Sequence, residues 1–234
     1  MKGRRLPVWA LLLGIVASSC GDGLSPAGRS EAGLENETTV MMDLPAPEFD
    51  GPVSLESALS RRQSVREYTD AELTSAEISQ LLWAAQGVTR DWGGRTNPSA
   101  GGRYPLELYA VTSSGLFHYL PYGHRVELLS TDDLRDGLSA AALGQEAVRR
   151  APAVFVICGV FARTAGKYGD RGVRYVYLEA GHVGQSLLLQ AIALGLGGVP
   201  IGAFDDAGVR RVLNFPADHE PLYLIPIGPP ASES

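Results

Sequence analysis

Hydrophobic positions recur at two different periods along this chain, and the change of period marks out its elements. In "SAEISQLLWAAQ", Ile78, Leu81, Leu82 and Ala85 fall on one helical face. Thr74 and Glu77 have the spacing of a capping box and Gly87 stands where a helix stops, so a helix is predicted between them. "LELYAVT" and "GLFHYL" flank Ser113 and Ser114 as a hairpin, and "AVFVICGVF" is an unbroken apolar run of the kind found in a central strand buried on both faces. Thr131 to Leu143 reads as helical. The longest helical pattern runs from about Arg171 to Leu194; it is apolar on several sides, which calls for burial all round, in a core or against a partner subunit. A short strand in "GVPIGAF", a helix from Asp205 or Asp206 to Leu213 and a last strand in "PLYLIPIG" complete the pattern. Helices wrapped around a mostly antiparallel sheet make the predicted fold class α+β.

The start of the chain stands outside this pattern. Lys2, Arg4 and Arg5 precede an apolar run from Leu6 to Ala17, followed by Ser18, Ser19 and Cys20. Residues 1–20 therefore have the layout of a signal peptide, and small residues leading into Cys20 resemble the bacterial lipobox. The expectation is export, with a lipidated Cys20 anchoring the protein in the cell envelope. Arg4 and Arg5 leave the general and the twin-arginine routes both open. Residues 21–52 are rich in Gly, Ser, Pro, Ala and Glu and read as a flexible tether, which puts the folded domain at 53–234. If Cys20 is lipidated, Cys158 has no disulfide partner and reads as a small core residue. The net charge of -6 and the lack of a polybasic run exclude a nucleic-acid surface.

Three short segments suggest chemistry. "RRQSVREY" gathers Arg61, Arg62, Ser64 and Arg66 at the end of a short helix; such donors can converge on a phosphate, or form a solvated basic turn. In "GVPIGAFD", Pro200, Ile201, Gly202 and Ala203 join a strand to a helix with small residues and free backbone N–H groups, a surface on which a planar ligand can lie. "TNPSAGGRYP" offers the same features through Pro98, Ser99, Ala100 and Gly101. His182, within an apolar helix, reads as a satisfied core histidine, and His118, His124 and His219 lack metal-ligand spacing. No metal is expected.

In this order and at these separations the three segments resemble the FMN-dependent nitroreductase family over about Leu55 to Gly228. The resemblance implies a nitroreductase-like fold and a homodimer with two FMN sites at its interface. It also implies that Arg62, Ser64 and Arg66 grip the FMN phosphate and ribityl chain. Pro98, Ser99, Ala100 and Gly101 would lie against the flavin from the partner subunit, and Pro200, Ile201, Gly202 and Ala203 would place a backbone N–H at flavin N5. The helix from Leu178 to Leu194 would be the dimer core. Gln145 could reach the pyrimidine edge, and aromatic residues near Trp92 the substrate side. Unlike many relatives, the chain ends in "PIGPPASES" without a further basic residue, so Arg61 is expected to compensate.

A narrower likeness joins "PSAGGRYPLELYAV" and "GKYGDRGVRYVYLEAGHVGQSLLLQA" to the SagB/ThcOx branch, the azoline oxidases of ribosomal peptides. There an adjacent Lys-Tyr pair is assigned to catalysis, which maps onto Lys167 and Tyr168. Removing a hydride and a proton from an azoline needs a base beside the flavin, although "AGKYGDRG" also reads as a Gly-rich loop with an exposed lysine. An exported protein sits oddly with peptide tailoring in the cytoplasm. The other readings are a general NAD(P)H-dependent reductase of quinones or nitro compounds, a flavin-binding surface lipoprotein without turnover, and a scaffold without flavin.

Overall fold

In a computed structural model of the chain, residues 40–231 are described. The signal-peptide and lipobox readings, with Cys20, lie outside them. The core is a sheet whose strands run in the order β1 (Val40–Asp43), β4 (Arg125–Ser130), β3 (Gly115–Leu120), β2 (Leu106–Thr112), β5 (Ala153–Gly159), β7 (Glu220–Gly228) and β6 (Gly197–Gly198). Every pairing in it is antiparallel. All residues of β5 are buried, because their alternation feeds two cores at once. Phe155 and Ile157 pack with α2 (Ser75–Gln86) and α6 (Arg171–Ala193) on one face. Val154, Val156 and Cys158 pack with α3 (Arg135–Ala141), α4 (Glu146–Arg150) and α7 (Asp206–Leu213) on the other. Helices on both faces of an antiparallel sheet make this an α+β fold.

Local signals set several boundaries. Thr74 and Glu77 close the reciprocal capping box at the start of α2, and Gly87 ends it. The Asp205 carboxylate accepts from Ala207 N at 3.1 Å and starts α7. The helix expected from Thr131 begins only at Arg135, whose N–H and guanidinium both donate to the Asp133 carboxylate in the turn before it.

Other expectations require correction. The stretch read as tether up to residue 52 contains β1, which pairs with β4 from Val40↔Leu128 to Asp43↔Arg125. After it, Ser79 Oγ donates to Pro45 O at 2.6 Å, and Glu48 and Gln80 exchange backbone-to-amide hydrogen bonds. The folded part therefore begins by Val40, because an edge strand is held by backbone pairing and needs little apolar periodicity of its own. Lys167 and Tyr168 lie not on a loop but at the end of α5 (Phe161–Tyr168), which Gly169 stops at positive φ. Within this chain α6 divides its apolar surface: Val183, Leu187, Leu188 and Ala191 enter the core, while Val173, Tyr177 and Leu178 are exposed. His182 is exposed as well.

Candidate active site

Two groups of residues emerge, one at each end of α6. At its C-terminal end, α1 (Leu55–Arg61) runs out at Arg62, and the chain passes alongside β6 with Ser64 bridged to Gly198 and Val65 N donating to Gly198 O at 3.1 Å. The approach is close enough that a Cβ on Gly197 would stand 2.5 Å from Val65 Cγ2, which is why the "GG" of β6 carries no side chains. Arg61 Nη2 donates to Ile192 O at 3.3 Å. Arg62, Ser64 and Arg66 make no side-chain hydrogen bond or ion pair among the described residues, so two guanidiniums and a hydroxyl stand available on one segment. The next residues return to the sheet edge, where Ile201 exchanges two backbone hydrogen bonds with Leu224. Pro200, Gly202 and Ala203 are exposed beside it. Gln145 reaches this turn, but its Nε2 donates to the carbonyls of Ala203 at 2.9 Å and Ala142 at 3.0 Å, so the side chain ties the turn to the α3–α4 connection.

The second group gathers around the turn after α2. Asn97, 5% exposed, fastens it: Nδ2 donates to Ala85 O at 2.8 Å and Oδ1 accepts from Ser186 Oγ at 2.7 Å, bridging α2 to α6. Ala100–Gly102 form a 3₁₀ turn in which Gly101 has φ 62°. Here the backbone angle favours glycine, and the tips of two side chains close on the turn, since a Cβ would stand 2.7 Å from Tyr168 Oη and 2.8 Å from Lys167 Nζ. The predicted Lys-Tyr pair thus converges on the predicted flavin wall. Trp92, in contrast, is 76% exposed and folds back over Gly94.

A cavity of about 300 Å³ lies beside this turn, walled by Pro98, Ser99 and Ala100 and by Tyr175, Leu178, Glu179 and His182 of α6. Tyr175 and Glu179 were not singled out from the sequence, and His182, read there as a core histidine, instead lines this cavity. The available signal was Glu179 itself, the only acidic residue of α6, set among apolar neighbours. Burial pushes its carboxyl up from 4.5 to about 7, against the Ser99 and Ala100 hydrogen bonds and the charge of Arg95, which favour ionisation. Because the native state holds this proton more tightly than the unfolded chain, the stability it contributes is full below pH 4.5 and lost as pH rises through 7. Thermal or urea unfolding of wild type and Glu179→Gln between pH 4.5 and 8 is expected to show wild type losing on the order of 2 kcal/mol relative to the variant. A constant difference would remove the assignment.

The two groups are separated: the helical rise between Glu179 and Ile192 is about 20 Å. Within one chain the Lys167 end and the Arg62 end of α6 are therefore two separate groups.

The sequence profile of the Nitroreductase family matches residues 59–229. The chain belongs to this family. It is accordingly an oxidoreductase of the nitroreductase family by descent. A protein of Methanocaldococcus jannaschii named as a nitroreductase is 40% identical over 193 residues, covering 80% of this chain and 96% of the relative. The microcin B17-processing protein of Escherichia coli is 26% identical over 131 residues, 51% of this chain and 48% of that one. Among solved structures, a nitroreductase-type protein of Ralstonia eutropha superposes with a TM-score of 0.75 at 31% identity, covering 91% of this chain and 97% of its own. An NADPH:FMN oxidoreductase of Vibrio harveyi shares the fold, with a TM-score of 0.58 at 21% identity over 76% of this chain and 69% of that chain.

Proposed function

We propose that this nitroreductase-family chain is an FMN-dependent oxidoreductase, assembled as a homodimer, that oxidises azoline-like rings in small molecules or peptides. The observation that carries the reading is the convergence of Lys167 Nζ and Tyr168 Oη on Gly101, which joins a base and a hydroxyl to a wall of small residues. The donor set at the other half-site fits the cofactor. Arg62 and Arg66 are unpaired cations beside the Ser64 hydroxyl, suited to a dianionic phosphate, and the exposed 200–203 turn presents backbone to a ring. Arg61 is held to the Ile192 carbonyl at the same helix end and adds positive charge there. Bound between these groups, FMN would accept a hydride and pass its two electrons on. In this scheme Lys167 takes the proton that leaves the substrate carbon, and Tyr168 orients the ring nitrogen by hydrogen bonding.

The separation of the half-sites supports the dimer. A two-fold copy packed on the exposed Val173–Leu178 face of α6 can set the Pro98–Gly101 turn of one chain against the Arg62 segment of the other. The likeness to the microcin-processing protein supports the azoline substrate, and the stronger likeness to the archaeal relative named as a nitroreductase supports the rival reading, an NAD(P)H-dependent reductase of nitro compounds or quinones. Export and membrane attachment through Cys20 remain part of the proposal.

The domain produced without residues 1–20 is expected to purify yellow and to release noncovalent FMN on extraction. Replacing both Arg62 and Arg66 by alanine should weaken FMN binding by 100-fold or more, at about 1.5–3 kcal/mol for each charge-assisted contact, and leave the circular dichroism of the apo protein unchanged. A folded sample that yields FAD, or no flavin, rejects the cofactor assignment.

A further inference from the structure

A second cavity, of about 730 Å³, lies on the face of the sheet opposite α6, between the β3–β4 pair and the chain that leaves α7. Its size falls within the range of small-molecule sites, about 300–1,000 Å³. Leu116, Leu129, Leu134, Val212 and Phe215 supply apolar wall, and none of the residues lining it is Lys or Arg. Its charged and titratable groups include His118, His219, Glu127 and, exposed beside them, Asp132.

Each histidine has one ring nitrogen fixed and one left over. His118 Nε2 lies 2.7 Å from Glu107 Oε2, and Glu107 Oε1 also receives Arg163 Nη2 at 2.5 Å. A carboxylate so paired accepts the Nε2–H, which leaves Nδ1 of the neutral ring as an acceptor. That Nδ1 faces Glu127 Oε2 across 3.8 Å, too far for a hydrogen bond. His219, 8% exposed, is fixed in the opposite sense, with Nδ1 2.5 Å from Tyr109 Oη. Tyr109 is 1% exposed and its hydroxyl has no other partner among the described residues, so it donates to Nδ1 and the ring carries its proton on Nε2. Burial lowers the pKa of His219 and so favours this neutral ring. Its Nε2–H has no partner among the described residues. The Tyr109 ring, stacked on His118 at 4.6 Å and tilted against Phe215 at 4.2 Å, ties the two ends of the cavity together.

We propose that this cavity binds a small primary amine with a flat apolar body and an oxygen acceptor, a phenolic amine being the simplest case. The ammonium bridges Glu127 and His118 Nδ1, the body lies against the leucines and Phe215, and the oxygen takes the His219 Nε2–H. An ammonium has three donors and can stand about 2.8 Å from each of two acceptors that are themselves 3.8 Å apart. An anion is disfavoured, because Glu127 and Asp132 face the cavity with no Lys or Arg lining it. Among the described residues no three His, Cys, Asp or Glu side chains are grouped to hold a metal ion, so the cation is an organic one.

The test uses the full chain, whose four histidines are followed by their ring signals in a proton–carbon correlation spectrum. Tyramine is expected to bind with a Kd of about 1 mM or tighter and to shift the signals of His118 and His219, leaving those of His124 and His182 in place. By calorimetry, para-hydroxyphenylacetate, with a carboxylate where tyramine has its ammonium, should not bind, and phenethylamine, without the oxygen, should bind several-fold more weakly. Glu127→Gln keeps the shape of the side chain and should weaken tyramine about tenfold or more, with unchanged circular dichroism. The inference is overturned if tyramine shows no saturation at about 10 mM, if the shifts fall on His124 or His182 instead, or if the acid binds as well as the amine. Equal affinity in Glu127→Gln, or equal affinity for phenethylamine, overturns it too. None of these residues belongs to the flavin groups, so the result is independent of the cofactor reading.

Discussion

Lys167→Ala is expected to leave FMN content unchanged and to slow reduction of the flavin by a thiazoline peptide by about 100- to 10,000-fold, the range for loss of a general base. The lysine lies in the last turn of α5, and its Nζ rests against Gly101, 2.8 Å from where a Cβ would stand. Its removal therefore opens space beside the turn without removing a core contact. Reoxidation of chemically reduced flavin is expected to stay within a few-fold of wild type, because that step takes no proton from a substrate carbon. Tyr168→Phe should show the same pattern more mildly: the ring keeps its edge contact with Tyr175, at 5.1 Å between centroids, and loses only the hydroxyl. The measurement is stopped-flow bleaching of the flavin with the thiazoline peptide and, separately, with NADH and NADPH. Bleaching by the nicotinamides alone, at the same rate in Lys167→Ala, would end the azoline reading and leave the general reductase in its place.

The second large effect separates the inside of α6 from its outside. Leu188 is 5% exposed and its Cδ2 lies 3.2 Å from where a Cβ of Gly198 would stand, so it belongs to the core of one chain rather than to a dimer seam. Leu188→Asp removes a leucine from a packed site and buries an unpaired carboxylate. The expected cost is on the order of 5 kcal/mol or more, comparable with the whole stability of a domain, and circular dichroism should show an unfolded chain at 25 °C. Leu178 is 54% exposed on the same helix and lines the cavity. Leu178→Asp should therefore leave the fold intact while size-exclusion chromatography with light scattering shows a monomer, and FMN should be lost with the dimer. A folded, flavin-saturated monomer would rule out a site shared between chains. A dimer that survives Leu178→Asp would place the interface on another surface.

The elements governed by near neighbours were legible in the sequence. A capping box, a stop glycine, an apolar run and a turn are local, and α2, α7, the β2–β3 hairpin and β5 follow from them at nearly the expected boundaries. The three segments with candidate chemistry were legible for a related reason: small residues and paired cations reveal what a backbone leaves open, whatever the chain does elsewhere. Tertiary structure alone decided three things. It brought β1 onto β4, a pairing made by backbone groups that any side chains permit. It sorted the apolar surface of α6 into a core face and an exposed face; sequence showed leucine and valine on several sides but not which side the sheet would cover. And it placed Glu179 under the Ser99–Ala100 turn, where the chemistry of the carboxyl is set by groups far away in sequence. Burial and hydrogen bonding act through space, and a carboxyl in the middle of a helix pattern is an ordinary solvated charge until the fold puts a turn on top of it.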